Sequence, residues 1–451
     1  MTTTTRPLPL LAESFDGELA LPGTDRYAAL AAPWNVAVPV QPAAVVAAAS
    51  AEDVATAVRA ATAAGLRVSV QATGHGARAT GNDVLLITTA GLDECVVHPE
   101  GWARVGAGVK WQRVVDACVP YGLAPLSGSS LDVGVVGYTT GGGVGPMART
   151  FGLASDRVRA FDVVTGDGVL RRATPDSEPD LFWALRGGKG AAGIVTAVEF
   201  DLLPVTDPYA GALYFDGADA ATVLHTWRAW SQTLPESATT SLALLQLPPL
   251  PGVPPLLAGR LTVAVRFVHV GDEATGAALL APMRSAAPLL LDGVRVLPFA
   301  EIDAVHSDPV DPMPALEMGF LLRELPAAAL DALLGVAGPG TPSPLVVLEL
   351  RALGGAVTRP GRHPSAVCPR DVPFSLLSSG IGVPPFVEAV QATTRAVTQA
   401  LAPWSDGRTL PNFAAGPTAY DGPTLERLLA VAGHYDPAGV LTDGATRLGR
   451  A

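Results

Sequence analysis

Ser127-Gly128-Ser129-Ser130-Leu131-Asp132-Val133-Gly134-Val135-Val136-Gly137-Tyr138-Thr139-Thr140-Gly141-Gly142-Gly143-Val144-Gly145 is the stretch on which the fold turns. Glycine at this density lets a chain take positive φ and come within van der Waals range of a ligand. Successive exposed backbone N–H groups make hollows that stabilise anions, and a pyrophosphate is the natural occupant. The plainer reading is a set of tight turns, but so long a glycine run costs order on folding. Gly143-Val144-Gly145-Pro146-Met147-Ala148 matches a dinucleotide fingerprint only by spelling. That fingerprint needs an apolar strand before it and a helix after it, and here Tyr138–Gly142 precede and Pro146 interrupts.

Working outward, a second segment, Gln71-Ala72-Thr73-Gly74-His75-Gly76, follows an alternating strand Arg67–Val70. A histidine between two glycines is sterically open on both sides, so its imidazole can meet a ligand. Ser50-Ala51-Glu52-Asp53 resembles a capping box opening a helix to Ala64, with Gly65 closing it. Strands are expected at Val84–Thr88, Ala103–Gly108, Val158–Thr165 and Ile194–Leu202, and helices at Trp111–Pro120 and Asp180–Leu185. After Pro204 the texture changes. Helices fit Ala218–Leu234, Asp272–Ala286 and Pro385–Leu401, strands fit Arg260–Val270 and Leu345–Ala352, and Pro-rich connectors lie at Leu247–Pro255 and Gly338–Pro344. A last helix fits Thr424–Gly433.

The 451 residues carry a net charge of −12, with lysine only at 110 and 189. No basic stripe exists to neutralise a nucleic-acid backbone, so a phosphate-bearing cofactor must be held mostly by backbone N–H groups. Cys95, Cys118 and Cys368 are scattered, and the histidines have no metal spacing, so no metal is expected. Met1–Leu11 lacks a charged region feeding an apolar one, and no run of about 18 apolar residues occurs. The expectation is a cytoplasmic protein without a membrane segment.

These segments resemble the FAD-linked oxidases of the berberine-bridge type, within the vanillyl-alcohol-oxidase and p-cresol-methylhydroxylase superfamily. Gly74-His75-Gly76 resembles the loop whose histidine carries a covalent flavin bond. Val133–Gly145 with Arg149, Gly152-Leu153 and Asp156 resembles the pyrophosphate signature. Asp180–Gly188 with Gly193-Ile194-Val195-Thr196 resembles the helix and strand beside the FAD. Pro411-Asn412-Phe413 and Tyr435-Asp436-Pro437 resemble the returning C-terminal segment, and Gly354-Gly355-Ala356 with Arg370 matches more loosely. The resemblance implies an α+β fold: a two-lobed FAD-binding domain over residues 1–205, an α+β substrate domain with an antiparallel sheet over 206–404, and a return segment over 405–451. It implies FAD, covalent through His75, with Gly74, Gly76, Ser130, Val133, Gly134, Gly137, Tyr138, Gly141, Gly142, Gly143, Gly145, Ile194, Val195 and Asn412 around it. Ser130 stands where many members have a second flavin-linking cysteine, so one bond is expected. Val133 at the oxygen-gatekeeper position resembles the oxygen-accepting members.

The catalytic base departs from the family pattern. The positions where members place a tyrosine or a carboxylate hold Leu410 and, in Phe374–Ser378, Ser378; neither has a suitable pKa. Tyr138, Glu349 (alternating with Arg351 on one strand face) and Tyr420 are the replacements considered. Otherwise the substrate is acidic enough to need little help, or the flavin performs no net redox chemistry. The expected activity is hydride abstraction from a largely apolar, polycyclic or aromatic natural product, with O2 as reoxidant, in bacterial secondary metabolism. A cyclase with a structural FAD, or a non-catalytic flavin or small-molecule binder, are the rivals.

Overall fold

A computed structural model describes residues 15–249, 253–368, 370–413, 417–444 and 448–449. Met1–Leu11 and part of the Leu247–Pro255 connector lie outside them. The fold is α+β, with three sheets among the described residues.

The first sheet is built from strands Ala44–Ala47, Val84–Thr88 and Arg67–Gln71, parallel in that order, with Glu18–Ala20 antiparallel at the edge. The helix Ala51–Ala64 covers it because its start and stop are written locally. Ser50 Oγ accepts from Asp53 N–H, Asp53 Oδ2 accepts from Ser50 N–H, and Gly65 closes the helix at φ 68°. Val54, Ala57, Val58 and Ala61 of that helix are buried. The second sheet runs Cys95–His98, Trp102–Gly106, Ile194–Asp201, Val158–Val164, Leu170–Ala173, all antiparallel.

The third sheet has eight antiparallel strands. Its main path runs Leu289–Asp292, Tyr209–Asp216, Leu261–His269, Ala238–Gln246, Leu345–Ala352, Phe374–Ile381, Ala315–Leu322. Helices Ala220–Ser231, Glu273–Arg284, Ala327–Ala337 and Val387–Leu401 supply the apolar layer on one face, against Leu242, Val265, Phe267, Leu348, Leu350 and Leu376. The other face looks toward the glycine-rich segment. Strands Tyr209–Asp216, Ala238–Gln246 and Ala315–Leu322 and the helix Ala327–Ala337 were not expected. A strand covered on both sides shows no clean alternation, and that erased the signal.

The two halves are stitched by charge and backbone. Arg149 donates to the carbonyls of Leu234, Ala238 and Leu353. Arg370 pairs with Asp156 at 2.6 Å, both nearly buried. Asn35 exchanges hydrogen bonds with the backbone of Ala315. The chain end returns to the first sheet, where Val68 N–H donates to Val440 and Thr442 N–H to Val68. No helix among the described residues is long and apolar enough to cross a membrane.

Candidate functional site

Three pieces of chain meet between the two halves. The first is the turn after strand Arg67–Gln71. Gly74 sits at φ 81°, and a Cβ there would press on Pro33 Cα at 2.6 Å and Trp34 N at 2.7 Å, so only glycine fits. Trp34 and Asn35 donate their N–H groups to the carbonyls of Thr73 and Gly74. This brings the Trp34 ring flat against His75, 4.4 Å between centroids and 14° between planes. Thr73 Oγ1 lies 2.9 Å from His75 Nδ1, while Nε2 is buried without a partner. Burial is the main cause that lowers the His75 pKa to about 4, helped by Lys110 and opposed by Asp132 and Asp308. The imidazole is therefore neutral near pH 7, with Nε2 left unpartnered.

The second piece is the glycine-rich segment. Trp111 and Gln112 donate to Val133 and Leu131 carbonyls, Val135 to Val109, and a short helix Val135–Thr140 follows. A Cβ on Gly134 would lie 3.6 Å from Ala72 Cβ and Thr73 Cγ2, so this helix begins directly beside the His75 turn. Its first turn leaves the amides of Val136 and Gly137 without an intrahelical acceptor. Gly76 and Gly137 are exposed, and a Cβ on either meets nothing within 4 Å. Open space thus faces both segments where they adjoin. Ser130 Oγ accepts from Asp132 N–H and is half-buried; Val133 is also half-buried, against the second-sheet core.

The other glycines are required by packing. Gly142 and Gly143 have φ 101° and 77°. Added Cβ atoms would strike the Tyr138 ring at Gly143 and Asn412 and Lys189 at Gly141, while Gly145 would meet the Ser127 carbonyl. Tyr138 is the pin of this knot. Its ring lies edge-on to Trp111, and its hydroxyl donates to Ser127 O at 3.2 Å. Burial pushes its pKa up. Its hydroxyl is engaged by that carbonyl and its ring is packed on both sides.

The third piece is the open face of the large sheet. By register Arg351, Ser241 and Arg266 share one row; Glu349, Leu377 and Gly319 the next; Val347, Ser379 and Glu317 the next. Glu349 is not a solvated strand carboxylate. Its Oε1 takes Ser241 Oγ at 2.7 Å and Arg266 at 2.6 Å, with His306 Nε2 at 3.4 Å, and Arg351 holds Oε2 at 2.7 Å. Though burial opposes it, Arg351 and Arg266 hold this carboxyl well below its usual range. So saturated a carboxylate is a poor base. Ser378 points the other way, in the row of Leu348 and Met318 under the helices, its hydroxyl on Met318 O. Leu410 packs with Leu321, Leu353 and Val372. Tyr420 is buried in the first half, donating to Gly187 O at 2.9 Å. Asn412 accepts from Lys189 at 2.6 Å and donates to Tyr138 O, tying the return segment to the short helix. Ile194 and Val195 send their side chains into two separate cores, so only their backbone remains available to a ligand.

Sequence reasoning missed Glu317. Strand Ala315–Leu322 is anchored beside Trp34–Val36, with Met313 N–H on Trp34 O and Val36 N–H on Met313 O. Two residues on, Glu317 is exposed on the cleft side of the sheet. Among the described residues its carboxyl has no hydrogen bond or ion pair. It is open to solvent from the cleft, yet surrounding protein desolvates it, and this chiefly raises its pKa; Asp308 adds and Arg351 opposes. A glutamate inside an apolar run (Ala-Leu-Glu-Met-Gly-Phe-Leu-Leu) was the available signal.

A cavity of about 30 Å³ lies between Val144–Arg149 and this sheet, lined by Phe267, Val268, Leu353 and Val357, with Arg266, His306 and Arg351 at its polar side.

The pattern of the FAD binding domain family matches residues 42–174. These residues form an FAD-binding domain. Over 99% of its length and 99% of the other chain, the protein superposes on 6-hydroxy-D-nicotine oxidase from Arthrobacter nicotinovorans, with a TM-score of 0.83 and 24% identity. Berberine bridge enzyme from Eschscholzia californica superposes with a TM-score of 0.79 at 17% identity, covering 94% and 95%. The chain therefore has the fold of these two enzymes. In sequence the chain is 33% identical over 192 residues to (R)-6-hydroxynicotine oxidase from Paenarthrobacter nicotinovorans, 42% of each. The matched stretch spans about two fifths of that relative's length. The FAD-binding domain contains the His75 turn and the start of the short helix side by side. The unpartnered Nε2 and the open space at Gly76 and Gly137 fit a flavin nucleotide: a neutral imidazole, amides without an intrahelical acceptor, and a cation close by in Lys189, whose Nζ donates to Gly137 O at 2.8 Å. Cys118 is buried and pushed up to about 12, and burial also raises Cys95 and Cys368.

Proposed function

We propose that this protein is an FAD-dependent oxidase that carries its flavin through one bond to His75. It takes a hydride from a C–H bond next to oxygen or nitrogen in a largely apolar, aromatic small molecule, with O2 as the final acceptor. A natural-product substrate of bacterial secondary metabolism and a cytoplasmic location belong to the same reading. The observation that carries it is the neutral, half-buried His75 imidazole, stacked on Trp34, with an unpartnered Nε2 beside a helix start whose first amides lack intrahelical acceptors. Val136 and Gly137 would hold the phosphates through their N–H groups, with Gly76 and Ser130 lining the same opening. Bound FAD supplies the two-electron acceptor. The protein's share is to orient the substrate against it, exclude water with Val144, Leu353 and Val357, and accept a proton. The lining beside Val144–Arg149 is apolar, and its guanidinium side would give a ligand bound in the cleft one polar anchor.

The purified protein should be yellow, and the colour should stay with the chain after denaturation. His75→Ala should release it, and Cys118→Ala should not. Anaerobic mixing with a panel of benzylic alcohols, phenols and cyclic amines, 6-hydroxynicotine among them, should bleach the flavin. Turnover without bleaching would instead support a cyclase in which FAD is structural, and binding without turnover a plain flavin or small-molecule binder. A colourless protein that stays colourless with excess FAD would overturn the whole reading.

A further inference from the structure

The usual base positions hold Leu410 and Ser378, and each replacement considered from sequence is occupied elsewhere. Tyr138 is clamped under Ser127, Tyr420 sits in the first-half core, and Glu349 is saturated by two guanidiniums, a hydroxyl and a histidine. Among the described carboxylates facing the cleft, Glu317 combines three properties. It stands on a strand and not on a loop, so its direction is set by the sheet. Its cross-strand neighbours Ser379 and Val347 are small or apolar and do not engage it. Its strand begins where Met313 and Ala315 are bonded to Trp34 and Asn35, against the ring that stacks on His75.

We propose that Glu317 is the catalytic residue that receives the substrate's proton. The proposal rests on the FAD reading above. As the C–H bond breaks, its electron pair leaves as hydride to the bound flavin. The O–H or N–H on the same carbon loses its proton to the Glu317 carboxylate, and the C–O or C–N bond becomes double. The carboxylic acid so formed faces solvent at the cleft mouth and releases the proton there. Bound FAD would supply the two-electron acceptor, and O2 would take up that hydride equivalent together with the released proton to form H2O2. A carboxyl that burial and Asp308 hold above its ordinary range accepts a proton near neutral pH better than an ordinary surface glutamate does. Arg351, next to it in charge, limits that rise and keeps the group titratable.

Two measurements on the holoprotein test this. In the first, the flavin absorbance is followed against pH without substrate. A transition with its midpoint above the ordinary glutamate value is expected in the wild type. It should vanish in Glu317→Gln and persist in Glu301→Gln, whose carboxylate is exposed and paired with Arg295. In the second, the compound that bleaches the wild type most rapidly is used in anaerobic stopped flow. Glu317→Gln should slow reduction by about 10²–10⁴-fold while the dissociation constant moves less than about threefold, and Glu317→Asp should recover part of the rate. Wild-type reduction rates in Glu317→Gln, or a flavin transition unchanged by it, would overturn the assignment while leaving the FAD reading intact. So would an equal loss of binding and rate with a lowered Tm, because that marks a structural residue. A colourless protein would sink both.

Discussion

At the scale of single residues, partners decide role more firmly than residue type does. Tyr138 lies in the glycine-rich segment and is one of the proton acceptors considered from sequence. Its hydroxyl is spent on Ser127 O and its ring fills the space left by Gly143 and Gly128. Tyr138→Phe should therefore cost about 1 kcal/mol of stability, one hydrogen bond's worth, in urea unfolding. Substrate oxidation should change by less than about threefold, with an unaltered pH profile. A loss on the order of 100-fold would restore it as a proton-transfer group. His75 is the reverse case, a residue whose Nε2 is left without a partner once Thr73 and Trp34 have fixed its ring.

At the scale of elements, the His75 turn is fixed by a close approach. Its backbone accepts N–H groups from Trp34 and Asn35, and Gly74 passes them where no side chain fits. Gly74→Ala combines a left-handed φ with a clash against backbone atoms, which cannot move aside as a flexible side chain would. The expected cost is about 1–3 kcal/mol of strain, relieved by opening the turn. The flavin-to-protein ratio after purification should fall with it; full retention at wild-type stability would show that the turn tolerates a side chain. The helix Ala51–Ala64 shows how much can be read from letters when both ends are capped locally: Ser50, Asp53 and Gly65 act as expected. Strand Ala315–Leu322 shows the opposite. Helices lie under one face and the cleft over the other, so its apolar residues do not alternate and Glu317 looked like an interruption in a core segment.

At the scale of the whole molecule, the site lies where two halves are held in register by shared apolar packing and by a few buried polar contacts. Asp156 and Arg370 form a nearly buried pair 214 positions apart in the chain. Arg370→Ala leaves the Asp156 carboxylate without its partner, and the expected loss is about 3–5 kcal/mol. Because the pair bridges the halves, urea unfolding should broaden or split, and the flavin band should change before the second half melts. A single transition at the wild-type midpoint would mean that the apolar contacts alone hold the halves together.

The presence of an FAD-binding domain, its two glycine segments and the histidine between Gly74 and Gly76 were legible from residue order alone, because backbone hollows and turns depend on neighbours a few positions apart. The roles of Tyr138, Glu349, Tyr420 and Glu317 were not. Each depends on a partner between 11 and 233 positions distant, or on the lack of one, and a carboxylate's charge answers to whatever the fold places beside it. Spacing along a chain carries local geometry; burial and pairing across the chain appear only once the sheets have closed.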